Sequence, residues 1–205
     1  MTLKDLVLDE SSTVKYKGVE TVLWKLLYHG AEMLAGSKAS TMISFRNSKC
    51  GLRKLWDTHK HEISGYTEPK YIELKRNEKG VVVLFYWTAE LEKILEDTSV
   101  RAFLSRFGYT DFSIQGALHM LKERFDASCP HEVGVFLGYP LEDVIHFTDC
   151  PKDKCIFTGY WKVFCNAEQA KQTFKLYDQI KSDCAKMLHS GLMPSQVIKN
   201  LSPVH

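Results

Sequence analysis

No apolar run in this chain exceeds seven residues, Val81-Val82-Val83-Leu84-Phe85-Tyr86-Trp87, whereas a membrane-spanning helix needs about 20. The first residues, Met1 to Ser12, carry Asp5, Asp9 and Glu10 and lack both the basic start and the apolar stretch of a signal peptide. The expectation is a cytoplasmic protein with no membrane partner. A surplus of one charge is also missing. Residues 1–100 hold 15 basic and 14 acidic side chains, and 101–205 hold 12 and 11, so neither half attracts a polyanion. Nucleic acid is therefore an unfavoured partner. No 20–50-residue repeat, low-complexity tract or Pro/Gly/Ser linker interrupts the chain, which points to one domain over 1–205.

Cysteine is present, but not as a scaffold. Six cysteines (50, 129, 150, 155, 165 and 184) are scattered through a chain that is 44% hydrophobic and able to build its own core. Reduced thiols are expected. Cys129, His131, Cys150 and Cys155 offer zinc and iron–sulfur ligand types. However, Cys150 and Cys155 are separated by four residues and no second close pair exists, so no bound metal is expected. The zinc helix motif His-Glu-x-x-His is excluded because position 135 is Val, and the spacing of a P-loop is absent around Lys38.

What is present has the periodicities of a mixed α/β chain. Val19, Val22, Leu23, Leu26 and Leu27 repeat at helical spacing, and a small-residue stretch from Gly30 to Ser40 then reads as a loop or frayed turn. Thr41–Phe45 reads as a strand feeding a helix that buries Leu52, Leu55 and Trp56. That helix leaves Arg46, Lys49, Arg53, Lys54 and Lys60 as a solvated basic back. Residues 70–76 and 81–87 form a hairpin across the four-residue loop Asn77-Glu78-Lys79-Gly80, and the second arm, apolar on both faces, is an inner strand. Three helices follow, starting after Thr88, after Ser99, and after Asp111 or Ser113, all N-cap residue types. Val133–Leu137 returns to strand character, a short helix lies behind Pro140, and Tyr160–Phe164 is a last strand before a long closing helix and a short tail near Val197–Leu201. The expected fold is one α/β (α+β mixed) domain with a mixed four- to five-stranded sheet and flanking helices.

The block Pro130-His131-Glu132-Val133-Gly134-Val135-Phe136-Leu137-Gly138-Tyr139-Pro140-Leu141-Glu142-Asp143-Val144, with Gly159-Tyr160-Trp161-Lys162-Val163 and Gly36-Ser37-Lys38-Ala39-Ser40, resembles an uncharacterised family of roughly 200-residue proteins from clostridia-like anaerobic bacteria. The resemblance spans about residues 20–191, leaving 1–17 and 192–205 peripheral. It implies no activity, ligand or catalytic residue. The family pattern has an aromatic residue where Cys129 stands and a glycine where His146 stands, so a site built on either would be peculiar to this chain.

Within these blocks His131 and Glu132 are the candidate acid/base pair, because histidine titrates near neutral pH and follows Pro130 at the mouth of the expected strand. The alternative is a structural cap. Gly138-Tyr139-Pro140 could open an anion-binding helix start, but Glu142 and Asp143 already fill that first turn with negative charge. Lys38 and Ser40, in a small-residue loop entering a strand, are ligand candidates. Tyr139, Tyr160, Trp161 and Lys162 complete a small-molecule pocket of aromatic walls with few polar groups. The rival reading gives the same surface to a protein partner, as a non-catalytic accessory or regulatory domain. Reaction, cofactor and ligand identity stay open.

Overall fold

The computed structural model describes residues 16–47 and 51–201. The readings placed on Met1 to Ser12, Lys49 and Cys50 lie outside the described residues. Two compact units emerge: Met1–Trp87 with Tyr177–His205, and Thr88–Leu176.

In the first unit, helix α1 (Val19–Leu34) is followed by strand β1 (Ser40–Arg46), helix α2 (Leu52–His59), a 3-10 turn (Lys60–Gly65), and strands β2 (Lys70–Asn77) and β3 (Gly80–Tyr86). The C-terminal half of helix α8 (Ala167–His189) and helix α9 (Pro194–Leu201) complete it. The strands form one antiparallel sheet in the order β1-β3-β2. β3 is central, as its two-sided apolar character requires. The hairpin is tighter than its sequence suggests. Asn77 pairs with Gly80, leaving Glu78-Lys79 as a two-residue connection, and Asn77 Oδ1 closes it by accepting Lys79 N–H at 2.9 Å. Val22, Leu23, Leu26 and Leu27 of α1 pack with Val81, Val83, Cys184, Leu188, Val197 and Ile198 in one core.

The Gly30–Ser40 stretch is not a loop throughout. α1 continues through Gly30 to Leu34, with a kink where Gly30 leaves helical geometry (φ −137°, ψ 23°). A Cβ there would lie 2.6 Å from Thr41 Cγ2, and Thr41 Oγ1 donates to the His29 carbonyl at 3.0 Å. The glycine therefore lets β1 approach α1, and a strand hydroxyl serves a carbonyl at the bend.

The second unit holds helices α3 (Thr88–Glu96), α4 (Thr98–Ser105), α5 (Ile114–Ala127), α6 (Val133–Phe136) and α7 (Leu141–Asp149), a ribbon of β4 (Phe157–Thr158) and β5 (Lys162–Val163), and the start of α8. The cap of α4 is Asp97, not Ser99: its carboxylate accepts from Ser99 N and Val100 N at 2.7 and 3.2 Å. Ser113 caps α5 through Gly116 N at 3.1 Å.

Two expectations are corrected. The five strands do not share one mixed sheet; they divide into antiparallel sheets of three and two strands. Val133–Leu137 is not a strand but one buried turn of helix, with Leu137 N–H bonded to Val133 O at 2.9 Å. Val133, Val135, Phe136 and Leu137 are at most 8% exposed, and a short element buried on every side has the same apolar run whether extended or helical. Of Tyr160–Phe164, only Lys162–Val163 pairs as strand.

In the first unit, Glu73 ties β2 to α2. Its carboxylate accepts from Trp56 Nε1 and Lys60 Nζ at 2.9 Å each and from Arg76 at 2.8 and 2.9 Å. Trp56 is thereby fixed against Phe45 (ring centroids 4.7 Å) and Tyr71 (5.0 Å). Burial pushes the Glu73 pKa up, but these donors outweigh it and hold it down at about 2. A depressed folded-state pKa gives stability that is present above the ordinary carboxylate range and is lost as pH falls towards 2. Glu73→Gln is expected to cost about 1–2 kcal/mol at pH 7, the partial exposure of the cluster having reduced the figure. It should also flatten the acid limb of a denaturation series between pH 5 and about 2.

Candidate functional site

The second unit contains a cleft of about 480 Å³, within the range of small-molecule sites. One wall comes from the segment around α6 and α7, including His131, Tyr139 and Phe147, and the other from the ribbon, including Tyr160, Trp161 and Lys162. The walls are largely aromatic. Tyr139 stacks on Trp161 with centroids 5.3 Å apart, and Trp161 meets Phe174 edge-on at 4.5 Å. Gly134 lies beneath this stack, where a Cβ would be 2.9 Å from Val144 Cγ2 and 3.3 Å from the Tyr139 ring. α6 can pack this close to α7 because that position has no side chain.

Two groups able to carry positive charge flank one ring. The Lys162 ammonium stands 5.1 Å from the Phe147 centroid and the His131 imidazole 4.9 Å from it. They are therefore no more than about 10 Å apart. Both residues are exposed, so the cleft presents an ammonium and an imidazole on an apolar body.

The ribbon's position rests on Asp143, which is 3% exposed in the first turn of α7. One oxygen accepts Trp161 Nε1–H at 2.7 Å, and the other accepts the backbone N–H groups of Phe164 and Cys165 at 2.8 and 2.9 Å. Three donors compensate one buried carboxylate. Nothing in the sequence marked Asp143 for this role beyond its place behind Pro140, where an acidic residue suits any helix start.

His131, Tyr139, Tyr160, Trp161 and Lys162, five of the residues singled out in the sequence, line this one cleft. Glu132 does not join them. It is 1% exposed, is ion-paired to Arg124, and accepts from Tyr109 Oη at 3.4 Å. Burial and the nearby Glu132 charge raise the Tyr109 pKa, and the hydrogen bond to Glu132 raises that of Arg124. Both shifts keep the phenol and guanidinium protonated around the carboxylate.

Lys38 and Ser40 belong to the first unit. Ser40 is fully buried at the start of β1, paired with Tyr86. Lys38 is 9% exposed, with its ammonium 3.9 Å from the buried Glu32, which Lys181 approaches to 3.5 Å. Burial lowers the Lys38 pKa, the Glu32 charge opposing that shift. The ammonium is thus occupied by a buried carboxylate within its own unit.

The fold is that of a mixed α+β protein with an aromatic-walled cleft in its second unit. The chain belongs to the family described as "Protein of unknown function (DUF3793)", which matches residues 26–198. No curated protein and no solved structure matches it. Among the described residues no helix is long and apolar enough to cross a membrane.

Removing one partner of a buried pair is costly because the other charge is left uncompensated. Arg124→Ala is therefore expected to destabilise by about 3–5 kcal/mol in urea denaturation, with the double variant Arg124→Leu/Glu132→Leu recovering much of it. Asp143→Ala, which orphans three donors, should cost about 2–4 kcal/mol; the measurement is the same, and a loss below 1 kcal/mol would contradict the role given to Asp143.

Proposed function

We propose that residues 88–176 form a small-molecule-binding unit whose cleft takes a flat, anion-bearing ligand, with aromatic carboxylates as the class. The carrying observation is the cleft's composition: stacked Tyr139 and Trp161 supply a face for a planar body, and Lys162 and His131 flank Phe147 where an anionic group would sit. Apolar walls with a few convergent polar groups are the usual form of such sites. The setting is the cytoplasm of an anaerobic bacterium. Lys162 gives charge recognition, His131 a second donor, and Glu132 positions the turn of α6 behind them. The cleft is lined entirely by residues between 129 and 162, so this reading does not depend on Lys38 or Ser40.

A matched pair of probes tests it. 1-Anilinonaphthalene-8-sulfonate and N-phenyl-1-naphthylamine share the aromatic body and differ in the sulfonate. The folded chain should bind the sulfonate 1:1 and at least tenfold more tightly than the neutral amine, an electrostatic preference of about 1.4 kcal/mol. Lys162→Ala should abolish that preference while leaving the amine's affinity within twofold, and Tyr139→Ala should weaken both probes. Equal affinity for the two probes in the unaltered protein would overturn the anion reading. Binding of neither would favour a protein partner on this surface.

A further inference from the structure

Outside the cleft lining, α7 and the turn behind it bring together three different metal-ligating side chains. One donor atom each from His146, Cys150 and Asp153 lies within 4.8 Å of the other two. Two backbone hydrogen bonds build the arrangement. Cys150 N–H bonds to His146 O at 2.9 Å, carrying the last helical turn through to the cysteine, and Asp153 N–H bonds to Cys150 O at 3.0 Å, folding the chain back on itself. The pattern is His-x3-Cys-x2-Asp. Spacing alone sets Cys150 beside Cys155; the fold sets it beside an imidazole and a carboxylate.

The imidazole is already held in place. It stacks on the Phe164 ring with centroids 4.5 Å apart and planes 14° from parallel, and its Nε2 is 3.0 Å from Asp153 Oδ2. Phe164 is itself anchored through its backbone N–H to Asp143, so the ring that orients His146 is fixed by a buried carboxylate. The Phe164 stack fixes the ring plane from outside the triad, while the Nε2–Asp153 contact brings two of the donor groups together and would be exchanged for bonds to a metal.

We propose that His146, Cys150 and Asp153 bind a zinc ion as three protein ligands, with a fourth position open to solvent. A tetrahedral zinc with bonds of about 2.0–2.3 Å separates its ligand atoms by roughly 3.3–3.7 Å. The triad's donor atoms, within 4.8 Å of one another, would have to close on that spacing by about 1 Å. The donor set selects the metal: thiolate and imidazole disfavour magnesium and calcium, which take oxygen, and suit zinc. Cys150 and Asp153 are exposed and His146 is half-buried, so entry is unobstructed and one face stays free for water or an exogenous donor. Lys152 and Lys154 are also exposed, and their opposition to a dication is weakened by solvent. Asp149, one helical residue away, is committed to Arg106 at 2.6 and 3.0 Å. The bound ion would clamp the 150–153 turn to the end of α7.

Cobalt titration of the full chain, reduced and stripped with chelator, tests this. One Co²⁺ per chain is expected, with the near-ultraviolet charge-transfer band of a cobalt–thiolate bond, and stoichiometric Zn²⁺ should bleach it. C150S should abolish the band, and H146A should weaken binding at least tenfold. D153N should weaken it severalfold, whereas C155S and C165S should leave band and affinity unchanged. The three altered side chains lie at or near the surface, so the metal-free variants should keep the parent's circular dichroism, with the melting temperature unchanged in C150S and D153N and slightly lower in H146A, which loses the Phe164 stack. Absence of a charge-transfer band at excess Co²⁺ would overturn the proposal. So would a band that survives C150S or disappears in C155S or C165S.

Discussion

The cleft exists because one carboxylate is buried in the right place. A ribbon made of two two-residue strands, Phe157–Thr158 and Lys162–Val163, has too few ladder bonds to hold itself in water. Asp143 supplies what the ribbon lacks: its oxygens take the Trp161 indole N–H and two successive backbone N–H groups just beyond β5. Because Asp143 is on α7 beside Val144, the same three bonds fix the distance between the two walls. The desolvation of a carboxylate would otherwise be prohibitive, and its position in the first turn of a helix lowers that cost further. Without Asp143 the Trp161 indole loses its acceptor, and its stack on Tyr139, 29° between planes, loses its polar anchor.

The same device recurs in each unit. Glu132 is enclosed by Arg124 and Tyr109, Glu32 by Lys38 and Lys181, and Glu73 by Trp56, Lys60 and Arg76. In each case at least one cation comes from a different element than the acid: Arg124 from α5, Lys181 from α8 and Lys60 from the 3-10 turn. Such pairs contribute little net stability compared with well-packed apolar residues, yet a wrong arrangement leaves a buried charge bare. They act by penalising alternatives. Moving α1 by a turn would take the Glu32 carboxylate away from Lys38 and Lys181 and leave it buried without compensation.

Much of this was legible in sequence where local pattern and tertiary role coincide. The two-sided apolar run 81–87 is the central strand, Ser113 caps α5, and the blocks around Tyr139 and Trp161 do line one cleft. The failures share a cause. Val133–Phe136 is buried on all sides, which erases periodicity. Gly30 was read as a helix end because glycine usually is one, whereas here it makes room for Thr41. The number of strands per sheet depends on which edges the helices cover, a matter no local window contains. Glu132 was expected beside His131 in the cleft because neighbours in sequence were taken as neighbours in chemistry. In a helical turn adjacent side chains diverge by about 100°, so one faces the cleft and the other the core. His146 stands out in the sequence only as a departure from the family pattern, and its grouping with Cys150 and Asp153 is not legible there because a mixed nitrogen, sulfur and oxygen set has no familiar spacing.

α7 shows why the second unit can place side chains closely with so little regular structure. A nine-residue helix is unstable on its own, and this one is secured at both ends. Asp143 bonds to the ribbon at the first turn, and Asp149 forms a two-pronged pair with Arg106 of α4's cap at the last. Between these anchors Val144 and Phe147 line the cleft, and Phe147 is the ring that both Lys162 and His131 flank. The Tyr139–Trp161 stack and the Phe147 ring are therefore positioned by the fold itself. Preorganisation of this kind reduces what a binding event must still immobilise.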